Sequence, residues 1–274
     1  MILPLALADY EAETAPGAAP PIASTSESTR TPEAGKITLQ SDATAAAIPL
    51  SADHASVLAD YDALLREHVT PAGLVDYDAL RSAPDRLDAY VAFLATADLQ
   101  AMPDAERLAT LINAYNAFTL RLIADYPGIS SIMEIPEDKR WKHARWNLAG
   151  QIVSLDGLEH QIIRKQFDEP RIHWAVVCAA ISCPPLRPEA YTGDGLDAQL
   201  SDQSRIVHTS PKWLQFNAGS NLLKVTPLYN WYGSDFGEGH PAIVANVAPY
   251  VDGLSAGDSP SIDWLHYDWS LNTQ

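Results

Sequence analysis

The sequence predicts an α+β fold, a single domain in which a helix-rich N-terminal part packs on a mixed or antiparallel sheet. Helical apolar spacing dominates the first half of the foldable part, and short alternating segments occupy the second half. No internal repeat and no second domain boundary interrupts these patterns. With 274 residues, 47% of them hydrophobic, the chain is long enough to bury a sizeable core.

The first 50 residues differ in composition from the rest. Residues 9–50 are rich in Ala, Pro, Ser and Thr and show no period, so residues 1–50 are predicted to be a disordered tether and residues 51–274 the globular domain. Ahead of that stretch, MILPLALA is apolar, and its Ala6-Leu7-Ala8 has the small-x-small form that signal peptidase accepts. Two interpretations stay open, the remnant of an export signal or a plain apolar start.

Three helices are predicted in the first half of the domain. The first begins where Ser51 or Asp53 can act as N-cap, and a second follows from about Pro84. The third has the strongest signal, because Pro103 opens and Pro127 closes a run whose apolar positions go nearly all the way round. A helix of that kind is expected to be buried.

Strands and shorter helices are predicted in the second half. A strand pair turns at Gly150, and a helix begins near Leu155 or Asp156. The segment RIHWAVVC, residues 171–178, has the β-branched and aromatic content of an interior strand. Further predicted elements are a helix over 194–208, the strands WLQFN and NLLKVTP, a helix through PAIVANVAPYV and a last strand in IDWLHYDW.

Charge and hydropathy exclude several partners. The formal net charge is −17, from 18 basic and 35 acidic residues, so nucleic acid and anionic bilayers would repel the chain. No apolar run reaches the roughly 18 residues of a transmembrane segment. We expect no cofactor and no metal, since the two cysteines lack the additional His or Cys ligands of a zinc site. A small-molecule or peptide ligand is the partner class that remains.

The two cysteines of the chain, Cys178 and Cys183, lie in HWAVVCAAISCPPLR, residues 173–187. Five positions apart, they can form a disulfide if the loop between them turns back. Alternatively, one is a reactive thiol. The N–H groups that follow Cys178 could then stabilise a thiolate, whereas Pro184-Pro185 offer Cys183 no such donors.

A nucleophilic thiol would need a base and a group that orients the base. The candidate bases are His173 and His160, and the candidate orienting groups are Asn113 and Glu159. On a regular strand His173 and Cys178 would leave opposite faces, because an odd number of positions separates them. Each candidate also has a structural alternative, as a core histidine, an amide that holds a loop, or a solvated helix face.

Four further residues are candidates for substrate binding. Asn116 shares a helix face with Asn113, and Arg164 follows one turn after the candidate base at position 160. Arg171 and Arg187 bracket the cysteine segment, and an arginine can clamp a carboxylate with two hydrogen bonds. An acidic substrate or a peptide C-terminus is therefore one prediction. The aromatic residues of LYNWYGSDFG provide either core packing or a binding groove.

Five segments of the chain resemble the bacterial and plant family called domain of unknown function 547: LINAYNAFTLRLI, SLDGLEHQIIR, DEPRIHWAVVCAAISCPPLR, WYGSDFG and YDWSLN. The resemblance covers roughly residues 55–272. The family name records no assigned activity, so the resemblance implies a fold and no reaction. Many bacterial relatives look exported, which favours a periplasmic or extracellular location over a cytoplasmic one.

Two functions are compatible with these patterns. The first is a thiol-dependent hydrolase or acyl transferase that acts on a small or peptidic substrate. The second is a non-enzymatic module that binds a ligand or peptide and is stapled by a Cys178–Cys183 disulfide.

Overall fold

The computed structural model describes residues 36–39 and 52–274. Residues 36–39 contact the rest of the domain through Ile37. The N–H of Ile37 donates to the carbonyl of Gln166 at 2.7 Å, and the carbonyl of Ile37 accepts the N–H of Asp168 at 2.9 Å. The remainder of the predicted tether lies outside the described residues. Within the described ranges, none of the helices combines the length and apolarity that crossing a bilayer requires.

Four helices form the N-terminal part: α1 (Ala52–His68), α2 (Tyr77–Ser82), α3 (Asp85–Leu94) and α4 (Asp104–Ala124). On α1, Tyr61 stacks on Tyr90 of α3, with 4.1 Å between the ring centroids. Helix α4 is buried on almost every side, as its apolar pattern predicts. It is therefore the central helix against which the other layers pack.

Two small sheets follow, with strands β1 (Trp146–Leu148), β2 (Gln151–Val153), β3 (Leu214–Asn217), β4 (Leu222–Val225) and β5 (Ser261–Trp264). The first two strands form an antiparallel hairpin. Ala149 and Gly150 both have positive φ there, as a two-residue hairpin turn requires. In the second sheet β3 pairs antiparallel with β4, and β4 pairs parallel with β5. The sheet is mixed, and the predicted α+β class is confirmed.

A continuous helical segment begins after the hairpin. It consists of α5 (Leu155–Gly157), a π-helical stretch (Leu158–Ile163) and α6 (Arg164–Gln166), and the hydroxyl of Ser154 caps its start. Wide π turns inside helices occur frequently at functional sites. The remaining helices are α7 (Leu196–Thr209), α8 (Leu228–Trp231), α9 (Gly233–Phe236) and α10 (Gly239–Val247), with 3₁₀ turns at Ile132–Glu134, Glu137–Lys139, Pro170–Trp174 and Ala248–Tyr250.

The prediction of an interior strand over residues 171–178 was wrong. Residues Pro170–Trp174 form a 3₁₀ helix, and the chain then continues without regular structure. Pro170 suits the first turn of a helix, and the carboxylate of Glu169 accepts the N–H of Arg171 at 3.1 Å. The β-branched and aromatic residues reflect burial here, not strand pairing. His173 and Cys178 are therefore not on opposite faces of a strand, as the predicted strand would have placed them.

Candidate functional site

A cleft of about 560 Å³, part of it open to solvent, lies where the π-helical segment meets the cysteine loop and the C-terminal part of the chain. Five of the predicted site residues line it: Glu159, His160, His173, Cys178 and Cys183. The other residues of its wall are Tyr115, Trp141, Asp156, Val176, Pro184, Leu228, Trp231, Tyr232, Tyr267 and Trp269.

Aromatic rings form much of the wall. Trp231, Tyr267 and Trp269 form one cluster, with ring centroids 4.5 to 5.9 Å apart. On the other side, Tyr232 stacks on His173 with 4.0 Å between the centroids. Aromatic faces carry partial negative charge, so such a wall suits flat apolar groups and cations.

Two carboxylates project from one face of the helical segment, since Asp156 and Glu159 are three residues apart. Oδ1 of Asp156 and Oε1 of Glu159 are buried and have no hydrogen-bond partner among the described residues. Burial, together with the nearby Glu159 carboxylate, raises the pKa of Tyr115 and of Tyr232. Buried polar atoms are nearly always paired in native proteins, so two unpaired oxygens in one cleft point to a ligand.

His173, Asp235 and Arg164 form a hydrogen-bonded network at the edge of the cleft. Nε2 of His173 lies 2.8 Å from Oδ2 of Asp235, and both Nε and Nη2 of Arg164 donate to the same carboxylate, at 2.5 and 2.9 Å. Burial by itself would raise the pKa of Asp235, but the hydrogen bonds from His173 and Arg164 hold it well below its usual range.

His173 has the arrangement of an oriented base. Burial lowers the pKa of His173, and the hydrogen bond to Asp235 offsets only part of that effect. Because a carboxylate only accepts, we assign the ring proton to Nε2, which leaves Nδ1 with a lone pair. Nδ1 is buried and has no hydrogen-bond partner among the described residues. This is the geometry of a base held in one tautomer by a carboxylate.

Cys178 and Cys183 are joined in a disulfide, with their Cα atoms 6.3 Å apart. The prediction of a bridge is confirmed, and neither sulfur is a thiol in this state. Both sulfurs lie beside the hydroxyl of Tyr267, at 3.2 and 3.1 Å. The predicted cradle of loop N–H groups around Cys178 is not formed by Ile181 and Ser182, which donate to C-terminal carbonyls.

The two asparagines of α4 hold loops. Nδ2 of Asn113 donates to the carbonyl of Tyr191 at 2.8 Å, and its Oδ1 accepts the N–H of the same residue at 2.9 Å. Asn116 holds Ala175 and Val177 in the same way, at 2.9 and 3.0 Å. Both amides are engaged by backbone, so the structure gives Asn113 a loop-holding position and no contact with a candidate base.

The arginines that bracket the cysteine segment do not line the cleft. Arg171 pairs with Glu169 at 2.6 Å and with Asp197 at 2.9 Å. Arg187 pairs with Glu189 at 2.6 Å and with Asp202 at 2.7 Å. The residues that a carboxylate clamp would use are thus already bound to carboxylates. Arg164 lies closer to the site and is held by Asp235.

Among the residues that sequence reasoning missed are Asp156, Tyr267 and Trp269 of the cleft wall and Asp235, the partner of His173. Asp235 lies in the quoted motif WYGSDFG, where a carboxylate inside an aromatic-rich segment was the available signal. No group of three or more His, Cys, Asp or Glu residues placed to hold a metal ion occurs in the part of the chain that the structure describes.

The fold and the cleft define an α+β protein whose cleft is bordered by a disulfide and by buried carboxylates. Residues 99–206 match the family described as "Protein of unknown function, DUF547", which supports the resemblance over that region. The matched region contains Glu159, His173 and both cysteines, and it ends before Asp235. None of the curated proteins and none of the solved structures matches the chain.

Proposed function

We propose that this protein binds a small organic cation, with an ammonium group placed between the carboxylates and the aromatic wall of the cleft. The observation that carries the proposal is the pair of buried, unpaired oxygens on Asp156 and Glu159. The disulfide belongs to the scaffold that borders this cleft.

Charge balance favours a cation over an anion. A buried carboxylate is costly unless a positive group or several hydrogen bonds compensate it. Among the described residues, Glu159 forms no ion pair, and Asp156 has only the imidazole of His160, at 3.9 Å. Arg164, the nearby guanidinium, already donates two hydrogen bonds to Asp235. A bound ammonium group would supply the missing charge.

The aromatic wall supports the same ligand class. A cation over a tryptophan or tyrosine face gains about 0.5–2 kcal/mol, more where water is excluded. Tyr232 already makes such a contact within the protein, because the guanidinium of Arg164 lies 5.2 Å from its ring centroid. The net charge of −17 also draws cations toward the protein at long range.

A fluorescence titration tests the proposal, since three tryptophans line the cleft. Choline is added to the oxidised protein, to Glu159→Gln and to Glu67→Gln, which removes an exposed carboxylate of α1 outside the cleft. We expect Glu159→Gln to weaken binding by about tenfold or more and Glu67→Gln to leave it unchanged. Equal affinity of wild type and Glu159→Gln would contradict the proposal.

A second candidate function is acyl transfer or hydrolysis by a cysteine thiol in the reduced protein. It is favoured by His173, which lines the same cleft as the two sulfurs and is hydrogen-bonded to Asp235. In this scheme the more exposed Cys178 attacks a carbonyl, His173 takes the thiol proton and gives it to the leaving alcohol or amine as its bond to the carbonyl carbon breaks, and Asp235 orients the imidazole. Water or a second nucleophile then attacks the thioester and releases Cys178. Asp235 then has the role of orienting the base, which the sequence predicted for Asn113 or Glu159.

Acylation by p-nitrophenyl acetate tests this candidate. The reduced protein should form a thioester on Cys178 and the oxidised protein none, as read by peptide mass. His173→Gln should slow the acylation, and Cys178→Ser should abolish it. Acylation that persists in Cys178→Ser at the wild-type rate would exclude this mechanism.

We also propose an exported, oxidising location, on the ground that disulfides persist mainly outside the cytosol. Trapping of free thiols at the moment of cell lysis tests this. Complete absence of alkylated Cys178 and Cys183 is the expected result, and quantitative alkylation of both would refute it.

A further inference from the structure

We infer that the Cys178–Cys183 bond is a thiol–disulfide exchange site, in which a small uncharged or cationic thiol attacks Sγ of Cys178 and Cys183 departs as the thiolate. The inference concerns chemistry at the disulfide and does not depend on the cation-binding proposal.

The two sulfurs differ in access. Cys178 is half-buried and lies on the cleft wall, whereas Cys183 is only 4% exposed. An attacking thiolate must reach the sulfur that it bonds to, so access decides which sulfur is attacked. The more exposed Cys178 is that sulfur.

Two hydrogen-bond donors converge on Cys183. The N–H of Cys178 donates to Sγ of Cys183 at 3.1 Å, and the hydroxyl of Tyr267 lies 3.1 Å from the same sulfur. Burial raises the pKa of Tyr267, so its hydroxyl keeps the proton that it can donate. Hydrogen bonds to a thiolate lower the pKa of its thiol, and a thiol of lower pKa is the faster leaving group.

The loop between the cysteines is held independently of the disulfide. Ile181 donates to the carbonyl of Ser270 at 2.7 Å, and Ser182 donates to that of Asp268 at 3.1 Å. The carbonyl of Ala179 accepts the N–H of Asn272 at 3.1 Å. These bonds keep the loop in place when the bridge opens. A bridge across so short a loop also removes less entropy from the unfolded chain than one across a long loop.

The exchange proceeds in two balanced steps. The external thiolate forms a bond to Sγ of Cys178 as the Cys178–Cys183 bond breaks, and the electron pair of the broken bond moves to Sγ of Cys183. A second external thiolate then attacks the external sulfur of the mixed disulfide, and Cys178 departs as a thiolate. Two external thiols are oxidised to one disulfide, and the protein disulfide is reduced to two thiols.

The ligand class follows from the charge of the cleft. Asp156 and Glu159 line the same cleft as Cys178 and would repel a thiol that carries a carboxylate. The probe is therefore 2-mercaptoethanol, which is uncharged and does not require the ammonium subsite.

The test uses the full chain under native conditions. Samples are quenched with acid during reduction by 2-mercaptoethanol, and the mixed disulfide is located by peptide mass. We expect a second-order reaction that is faster than global unfolding, with the adduct on Cys178. Reduction at the rate of unfolding, independent of thiol concentration, would overturn the inference, as would an adduct on Cys183.

Tyr267→Phe tests the stabilisation of the leaving thiolate. Its matched control is Tyr61→Phe, which removes a buried hydroxyl of α1 outside the cleft. We expect Tyr267→Phe to slow reduction by about tenfold and Tyr61→Phe to leave the rate unchanged. In Cys178→Ser, the pKa of the Cys183 thiol, measured from the absorbance of its thiolate, should be lower than that of a free cysteine. An unchanged rate in Tyr267→Phe together with an ordinary titration of Cys183 would overturn the leaving-group assignment.

Discussion

Two pairs of side chains with buried polar atoms share one spacing and differ in their hydrogen bonds. Asn113 and Asn116 on α4 are three residues apart, and both polar atoms of each side chain take a backbone partner. Asp156 and Glu159 are also three apart on a helical segment, but each keeps a buried oxygen without a partner among the described residues. This difference in hydrogen-bond satisfaction, together with the position of Asp156 and Glu159 on the cleft, is what the proposed cation site rests on.

The largest expected effect is a loss of stability on replacing Asn113, whose amide is fully hydrogen-bonded. Asn113→Ala leaves the N–H and the carbonyl of Tyr191 without partners, and each orphaned buried group costs about 1–3 kcal/mol. We expect the free energy of unfolding in urea to fall by about 4 kcal/mol. Choline affinity should stay within about twofold, since Asn113 does not line the cleft. A stability loss no larger than that of the exposed Asn147→Ala would contradict the assignment.

The pH dependence of stability tests His208, a second buried side chain whose polar atoms all have hydrogen-bond partners. Its Nδ1 bonds the carbonyl of Ser204 and its Nε2 bonds the hydroxyl of Tyr229, both at 2.6 Å. Burial lowers the pKa of His208 to about 4. Between this value and the unfolded value of about 6.5, only the unfolded chain binds the proton. Stability should therefore be fully present above pH about 6.5 and fall by roughly 3 kcal/mol as the pH drops to about 4.

His208→Gln should flatten that pH dependence, as measured by urea unfolding at each pH. The exposed His240→Gln is the matched control and should leave the slope as in the wild type. An equal slope in wild type and His208→Gln would show that other groups cause the acid loss.

Asp235 holds His173 at the edge of the cleft and is itself fully engaged by His173 and Arg164, so it should act like the structural groups. Its folded-state pKa is depressed, and its contribution to stability is therefore present above the unfolded pKa of about 3.9 and lost as the pH falls through the folded value. Asp235→Asn should cost about 2 kcal/mol at pH 7, less than a fully buried pair because the side chain of Asp235 is 15% exposed.

Urea unfolding at pH 7 and at pH 3 measures the effect of Asp235→Asn, and the difference from wild type should shrink at the lower pH. Asp263→Asn, in an exposed pair with Lys224, should change stability by less than about 0.5 kcal/mol. A cost for Asp235→Asn that grows as the pH falls would contradict the network.

The smallest expected effect has the opposite sign. Glu159→Gln removes a buried carboxylate that forms no ion pair among the described residues, so the protein should keep its stability or gain about 1 kcal/mol while it loses choline binding. Urea unfolding and titration of the same sample measure both quantities. A stability loss of more than about 1 kcal/mol would show that Glu159 stabilises the fold as the two asparagines do, which contradicts its assignment to a ligand site.

Elements fixed by local signals were predictable from the sequence. Helix α4, the hairpin at Gly150 and the helix after Ser154 follow from apolar periodicity, prolines and turn residues that act over a few positions. The strand predicted over residues 171–178 was wrong because β-branched and aromatic residues report burial, which a 3₁₀ helix and an irregular segment achieve equally well here.

The candidate site was predictable only in part. Its cysteines, histidines and Glu159 lie in dense motifs within a short stretch of sequence, and the structure brings these residues to one cleft. Asp235, the partner of His173, lies 62 residues further along the chain, and no local pattern couples two such positions. The arginines were misleading because their charge is visible in sequence while the fold brings carboxylates of α7 to them, Asp197 to Arg171 and Asp202 to Arg187.

Calorimetric titration with two ligands of the same shape, one charged and one neutral, shows whether the cleft recognises positive charge. Choline and its uncharged analogue 3,3-dimethylbutan-1-ol are titrated into the oxidised protein and into Glu159→Gln. Choline should bind the wild type about tenfold more tightly than the analogue, and the difference should vanish in Glu159→Gln. Equal affinity of the wild type for the two ligands, or a preference that survives in Glu159→Gln, would contradict the account.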